Sequence, residues 1–327
     1  MQQQDLLDAT KLFSVKGKIA LVSGGGTGIG LYIATGLATN GTKVYITGRR
    51  KDKLEAAASQ FAATGNGGSL IPLQGDVSSK DSVAKLVEDY KKLESKLDIL
   101  VNSAGVLHVD PIKSHPDDGK RLDNLMQALW SSEEAGWKNS LDVNVTALYF
   151  MSVGFAPLLH ESYKQNPSSA EEPRETPNII NIGSIAGTHN ARDAAAVSYQ
   201  ASKSAVNHLT KCLATRFVSS FVSATTVLVD SSPFMFHSFL PLHIRVNGIN
   251  PGLFPSEMTK TDPKVLRETH KTHFRAMPEG RAGAPPDIAG PVIMLSSRAG
   301  AYINGNMLDV GGGRSLLLSG AILPDPK

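Results

Sequence analysis

Short apolar runs alternate with amphipathic stretches along the first third of the chain. The apolar runs lie at 18–22, 43–47, 69–74 and 97–101, and the stretches with helical spacing lie at 29–39, 51–63 and 80–93. Each run is followed by glycine, asparagine or aspartate, which is typical of buried parallel strands that end in a turn. Alternation with short links predicts βαβ units and a parallel sheet.

The second half of the chain repeats this alternation. Further strands are predicted at 178–182, 244–249 and 307–310, and further helices at 137–159 and 197–215. The polar, proline-rich residues 160–177 predict a surface loop. We therefore expect one Rossmann-type, doubly wound α/β domain over 18–315, with helices on both faces of a seven-stranded, mostly parallel sheet. Residues 1–17 would be an N-terminal extension and 316–327 a C-terminal tail.

Composition narrows the classes of function. Apolar residues make up 41% and charged residues 19%, as in ordinary globular proteins. A net charge of +3 without a long basic block argues against nucleic-acid binding. The single cysteine, Cys212, fits a reducing compartment. Because neither a signal peptide nor a bilayer-length apolar run is evident, we expect a cytoplasmic protein without a membrane span. No metal site is expected.

A glycine-rich turn joins the first predicted strand to the first helix. Its sequence is Ser-Gly-Gly-Gly-Thr-Gly-Ile-Gly over 23–30, with the candidate cofactor-binding residues Gly24, Thr27, Gly28, Ile29 and Gly30. Glycine permits positive φ and close approach of a pyrophosphate to the backbone, and the helix N-terminus favours an anion. The alternative is a loop that only turns a corner. At the first strand–helix junction, the pattern favours a dinucleotide site.

The end of the second strand indicates which dinucleotide is bound. An acidic residue there would bind the ribose 2′-OH of NAD, whereas arginine suits the 2′-phosphate of NADP. Arg49 and Arg50 follow Gly48, so the sequence favours NADP(H). The alternative is that both arginines only begin a solvated helix. Asp76, after the third strand, is placed to meet the adenine. The alternative is a cap for the helix that begins near Ser78, and both could be true at once.

Tyr199 and Lys203 lie four residues apart on a predicted helix and therefore share one face. A neighbouring ammonium lowers the pKa of a tyrosine, which suits it to general acid–base work. Ser184 ends the preceding strand, where it could hydrogen-bond a substrate oxygen or serve as an N-cap. Asn144 lies on a largely apolar helix, where it could hold a proton-relay water or bridge the helix backbone to a neighbouring strand.

Together these residues resemble the short-chain dehydrogenase/reductase family. The matching elements, in family order over roughly 18–313, are the glycine turn, Gly75-Asp76-Val77, Asn102-Ser103-Ala104-Gly105, Asn144, Ser184, Tyr199 with Lys203, and Asn250-Pro251-Gly252. Finer features are similar to 3-oxoacyl-thioester reductases and fungal metabolite reductases. The resemblance implies further contacts to NADP(H) from Val77, Asn102, Ala104, Gly105, Pro251, Gly252, Phe254 and Ser256.

The family mechanism implies a role for each catalytic residue. NADPH delivers hydride to a carbonyl carbon, and Tyr199 gives a proton to the carbonyl oxygen or takes it in the reverse reaction. Ser184 steadies that oxygen, Lys203 lowers the tyrosine pKa and binds the nicotinamide ribose, and Asn144 keeps the relay water. The expected substrate is a 3-oxoacyl thioester or a secondary-metabolite ketone. The resemblance also implies a homodimer or homotetramer and a substrate lid over 253–278.

The sequence departs from the family pattern at several places. Ser103 replaces a usual asparagine, Thr27 replaces a basic residue common in NADP-dependent members, and the spacing from Ser184 to Tyr199 is slightly long. Residues 217–238 interrupt a family-like continuation, either as a natural surface insertion or as translated intron sequence. Two other functions stay open: an enzyme that oxidises a terpenoid or polyketide hydroxyl, and a non-catalytic NADP-binding sensor.

Overall fold

A computed structural model describes most of the chain. It covers residues 7–64, 67–108, 126, 127, 129–167, 174–189, 196–217, 242–259 and 278–318. Residues 218–238 of the predicted insertion and 260–277 of the predicted lid lie outside the described residues, as do most of the predicted tail and the first six residues.

The described strands form one seven-stranded sheet in the order β3-β2-β1-β4-β5-β6-β7. Their bounds are β1 Ile19–Ser23, β2 Lys43–Gly48, β3 Ser69–Gln74, β4 Ile99–Asn102, β5 Asn178–Ile182, β6 Arg245–Pro251 and β7 Met307–Val310. All neighbouring strands pair in parallel, so the predicted doubly wound α/β fold is confirmed. The strand order reverses between β1 and β4, which is where sheets of this kind open a ligand crevice at the carboxyl ends.

Helices cover both faces of the sheet. Their bounds are α1 Ala9–Leu12, α2 Gly28–Thr39, α3 Lys51–Ala62, α4 Lys80–Lys91, α5 Glu134–Leu141, α6 Ala147–Gln165, α7 Val197–Phe217, α8 Pro285–Ser296 and α9 Arg314–Leu318. Asp142–Thr146 forms a π-helical turn between α5 and α6. Short 3₁₀ turns lie at Ile185–Gly187 and Arg298–Gly300.

Each face of the sheet has its own hydrophobic core. On one face, β1 contributes Val22 to a cluster with residues of α2, α3 and α8. On the other, β1 contributes Leu21 to a cluster with residues of α4, α6 and α7. Alternate residues of one buried strand therefore serve opposite cores, which explains why the strands read as continuous apolar runs.

The boundaries predicted for the surface loop at 160–177 and for the insertion at 217–238 are wrong. Helix α6 continues to Gln165, so the loop expected from 160 begins only at Asn166; Leu159 and Ser162 are both buried on the sheet side. Phe217 is the first residue of the predicted insertion. It ends α7, is buried in the second core, and its carbonyl accepts a hydrogen bond from the backbone N–H of Ile244 at 3.2 Å.

Residues 134–165 form one continuous helical run that could cross a membrane by length and composition alone. Half of its most apolar window is buried inside the fold (50%). A core helix of a doubly wound domain requires this burial, so the run gives only weak support for a membrane span.

Candidate active site

The glycine turn between β1 and α2 is built so tightly that side chains do not fit. Gly24 and Gly28 have positive φ angles of 67° and 55°. A Cβ on Gly30 would lie 2.2 Å from the carbonyl oxygen of Gly24, and one on Gly24 would lie 3.0 Å from the backbone of Ala104. Thr27 makes no side-chain cap to α2, so the helix N-terminus faces the turn uncapped. The turn is therefore a cradle of bare backbone suited to an anion.

A cleft of about 670 Å³ opens over this turn at the carboxyl ends of the strands. That volume is ordinary for a small-molecule or cofactor site. The sequence-predicted residues that line it are Gly24, Thr27, Gly28, Ile29, Gly30, Arg49, Arg50, Asp76, Val77, Ala104, Gly105, Tyr199, Lys203 and Ser256. The cleft thus joins the paired arginines, the glycine cradle and the Tyr–Lys pair in one continuous space.

Four predicted cofactor contacts do not line the cleft. Phe254 is 2% exposed and packs in the first core, so its ring does not face the cleft. Pro251 is buried at the end of β6, and Gly252 packs against the backbone of Gly311. Asn102 is buried and donates to Asn181 at 2.9 Å and to Ser152, so it ties β4 to its neighbours.

Asp76 lines the cleft without capping α4. Partial burial raises the pKa of its carboxyl, but hydrogen bonds from the backbone and hydroxyl of Ser78 outweigh this effect and the pKa is lowered. The helix is instead capped by Ser79, which forms a reciprocal capping box with Ser82. The cap alternative for Asp76 is therefore wrong, and its ionised carboxylate stands at the cleft wall beside Arg49.

Lys203 is the most deeply buried charged group of the cleft. Its side chain is 5% exposed, and Nζ donates to the carbonyl oxygen of Ile182 at 2.8 Å. Burial lowers the pKa of this amine to about 8. Nζ lies 5.8 Å from the ring centroid of Tyr199, close enough for the two groups to act on one bound molecule.

Tyr199 lies in the first turn of α7 with its ring half-buried. Burial raises the pKa of its hydroxyl, and a hydrogen bond with Ser184 lowers it to a smaller extent. The predicted lowering of this pKa by Lys203 is not found, and the largest effect is burial, which disfavours the charged phenolate. Ser184 also accepts a hydrogen bond from the Ala186 N–H at 3.1 Å, so it caps a 3₁₀ turn as well as facing the tyrosine.

Asn144 lies in the π-helical turn, a feature frequent at functional sites. Its Oδ1 accepts from the Val106 N–H at 2.8 Å, and its Nδ2 donates to the Val106 carbonyl at 3.0 Å and to Ser202 at 2.9 Å. These bonds use both hydrogens of the amide, and they run to the loop after β4 and to α7 and not to a strand. Asn144 fixes the loop after β4 against α7, beside Gly105 and Lys203.

Sequence reasoning missed two charged residues of the cleft, Lys53 and Glu257. Glu257 pairs with Arg50 at 2.7 Å across the mouth of the cleft, although the two residues are 207 positions apart. Lys53 lies on α3 with its side chain 46% exposed. Its helical spacing after Arg49 was a usable signal, whereas no local pattern marked Glu257.

Comparisons with known proteins identify the family of the chain. Residues 18–229 match the sequence model of the short chain dehydrogenase family, and residues 234–315 match a second one, described as enoyl-(acyl carrier protein) reductase. The short-chain dehydrogenase/reductase PhomF of Diaporthe leptostromiformis is 36% identical over 313 residues, which cover 94% of each chain. The rhamnolipids biosynthesis 3-oxoacyl-[acyl-carrier-protein] reductase of Pseudomonas aeruginosa is 33% identical, covering 92% of this chain and 97% of its own.

A solved structure matches over nearly the whole fold. The Pseudomonas aeruginosa RhlG/NADP active-site complex superimposes with a TM-score of 0.71 at 32% identity, covering 93% of this chain and 98% of that one.

Proposed function

The chain belongs to the short-chain dehydrogenase family, and from that premise we propose that it is an NADP(H)-dependent oxidoreductase. It would transfer hydride between the nicotinamide and a carbonyl or secondary alcohol of a small organic substrate. The observation that carries the proposal is the single cleft that runs from Arg49 and Arg50, over the glycine turn, to Tyr199 and Lys203.

The residues present fit NADP(H). Backbone at the glycine turn, where a Cβ would collide, accommodates a pyrophosphate. Arg49 and Arg50 line the cleft at the end of β2, where a guanidinium suits the 2′-phosphate. Residues 47–50, which end the strand and follow it, include no carboxylate. The complex of the Pseudomonas aeruginosa relative with NADP supports the same cofactor here. When bound, the nicotinamide supplies or accepts the hydride.

Side chains of the protein would donate and accept the proton that accompanies hydride transfer. Because burial raises the pKa of Tyr199, its hydroxyl is protonated at neutral pH and can donate to a carbonyl oxygen. Ser184 sits within hydrogen-bonding reach of that hydroxyl and would hold the same substrate oxygen. Lys203, fixed by the Ile182 carbonyl, provides positive charge beside the tyrosine below a pH of about 8. Asn144 positions the loop after β4 and α7 around this centre.

The substrate we propose is a 3-oxoacyl thioester or a secondary-metabolite ketone, as the named relatives from Pseudomonas aeruginosa and Diaporthe leptostromiformis suggest. The chain would work in the cytoplasm as a homo-oligomer. Leu141, Tyr149 and Val153 support an oligomer, because they are each about 40% exposed and follow one face of the α5–α6 run.

The test is to measure both ketone turnover and NADPH binding in the variant Tyr199→Phe. We expect NADPH affinity to be kept and turnover of a ketone panel to fall by about 10²–10⁴-fold, since the ring remains and only the transferable proton is lost. Tyr302→Phe is the matched control, because Tyr302 is fully exposed. Turnover of Tyr199→Phe within a few-fold of the control would contradict the mechanism. Wild-type protein that binds NADPH but turns over neither ketones nor alcohols would favour the sensor.

A further inference from the structure

The chain segment that follows β6, which includes Pro255 and Ser256, packs against the glycine turn and the helix α2. The hydroxyl of Tyr32, on α2, donates to the carbonyl of Pro255 at 3.1 Å. Ser256 lies so close to the turn that a Cβ on Gly28 would meet its Cβ at 3.0 Å. The start of the predicted lid is thus held directly over the cofactor cradle.

Glu257 extends this contact to the arginine end of the cleft. Its Oε2 accepts from Nη2 of Arg50 at 2.7 Å, and its Oε1 lies 3.9 Å from Nζ of Lys53. The same Nη2 also donates to the hydroxyl of Thr27 at 3.3 Å. The hydrogen bond from Arg50 lowers the pKa of Glu257, so the carboxylate is ionised at neutral pH.

Both hydrogens of the Arg50 Nη2 are therefore in use before any cofactor binds. A 2′-phosphate that takes this edge of the guanidinium must displace Glu257, and the two anions repel each other while they are close. Because both side chains of the ion pair are about half exposed, 53% and 52%, water screens the pair and displacement costs little. Glu257 and the 2′-phosphate therefore compete for Arg50, and the effect of this competition on the binding affinity is small.

We infer that Glu257 is a determinant of cofactor selectivity, which competes with the 2′-phosphate of NADP(H) for Arg50. The inference rests on the proposed NADP(H) site. Glu257 weakens binding of the phosphorylated cofactor and leaves binding of the unphosphorylated one unchanged. It thereby reduces the preference that Arg49 and Arg50 alone would give.

The experiment is a double-mutant cycle read by calorimetric titration with adenosine 2′,5′-bisphosphate and, separately, 5′-AMP. The two probes differ only in the 2′-phosphate. We expect Glu257→Gln to tighten binding of the bisphosphate about threefold, with 5′-AMP unchanged. The gain should vanish in the Arg50→Ala background and shrink at high ionic strength. Glu55→Gln is the matched control, since it removes the same charge from an exposed glutamate of α3.

The outcomes separate the inference from the proposed function. Bisphosphate binding in Glu257→Gln that equals or falls below that of Glu55→Gln overturns the role of Glu257, as does a gain that persists without Arg50. Wild-type protein that binds the bisphosphate no better than 5′-AMP would contradict the proposed NADP(H) site itself.

Discussion

Replacing Lys203 by methionine should stabilise the cofactor-free protein at neutral pH while it removes activity. Methionine keeps the length of the side chain but carries no charge to desolvate. Burial lowers the pKa of Lys203 to about 8, and the ordinary value is about 10.4, so the folded protein pays about 3 kcal/mol to hold the proton below pH 8. The lost hydrogen bond to the Ile182 carbonyl offsets about 1–2 kcal/mol of that gain.

The sign of the pH dependence follows from the two pKa values. Between about pH 8 and 10.4 the unfolded chain holds a proton at this lysine that the folded chain has released. Stability of the wild-type protein therefore gains from this group as pH rises through that window, whereas Lys203→Met has no such gain. We expect the variant to be more stable than the wild type by about 1–2 kcal/mol at pH 7 and less stable near pH 10.

Urea unfolding of the cofactor-free proteins at pH 7 and pH 10 measures the free energy of unfolding and hence this change in the order of stability. Lys91→Met is the matched control, because Lys91 is exposed at the end of α4 and the substitution removes the same charge. If Lys203→Met and Lys91→Met change stability equally at both pH values, then Lys203 carries no burial penalty and the reasoning is refuted.

Other substitutions test the cofactor site and the insertion. Arg49→Ala should weaken NADPH binding at least about tenfold and leave NADH binding unchanged in fluorescence titrations, since charge-assisted bonds to the phosphate are lost; equal losses would refute its role. Gly30→Ala should abolish binding of both cofactors and lower the melting temperature, because its Cβ would lie 2.2 Å from the Gly24 carbonyl; a variant that binds normally would disprove the cradle. Deleting residues 218–238 while keeping Phe217 should preserve turnover and raise solubility; failure to fold would make the segment structural.

The fold was predictable because strands buried on both faces need continuous apolar runs. The bounds of β3 and β5 match the sequence prediction residue for residue. The predicted end of a helix was wrong where a polar residue lies on the buried face of that helix. Ser162, at the polar end of α6, is fully buried and bonds to Asp98, so polarity at that point did not indicate a loop. The boundary at Phe217 was wrong for a different reason. The residues that follow Phe217 do not continue the helical pattern, so the sequence did not indicate that Phe217 is the last residue of α7.

The parts of the site that lie within one short sequence motif were predictable. The glycine turn and the Tyr199–Lys203 spacing each sit on one strand–helix unit, so their geometry follows from sequence. Phe254 follows a matching motif closely, yet sequence cannot tell that its ring turns into the core. The Arg50–Glu257 pair joins two distant segments across the cleft, and only the fold brings them together.

Burial acts in the same sense on Tyr199 and Lys203, the two groups that we propose for catalysis, because it opposes charge on each. It raises the pKa of the Tyr199 hydroxyl and lowers the pKa of the Lys203 amine. At neutral pH the tyrosine is therefore a proton donor, and the lysine is still mostly charged. Reduction of a carbonyl needs a donor at this position, whereas oxidation of an alcohol needs an acceptor and hence a phenolate. Under the proposed mechanism, the electrostatics of the cofactor-free cleft thus favour the reductive direction, and the oxidative direction requires either alkaline pH or charge brought by the bound cofactor.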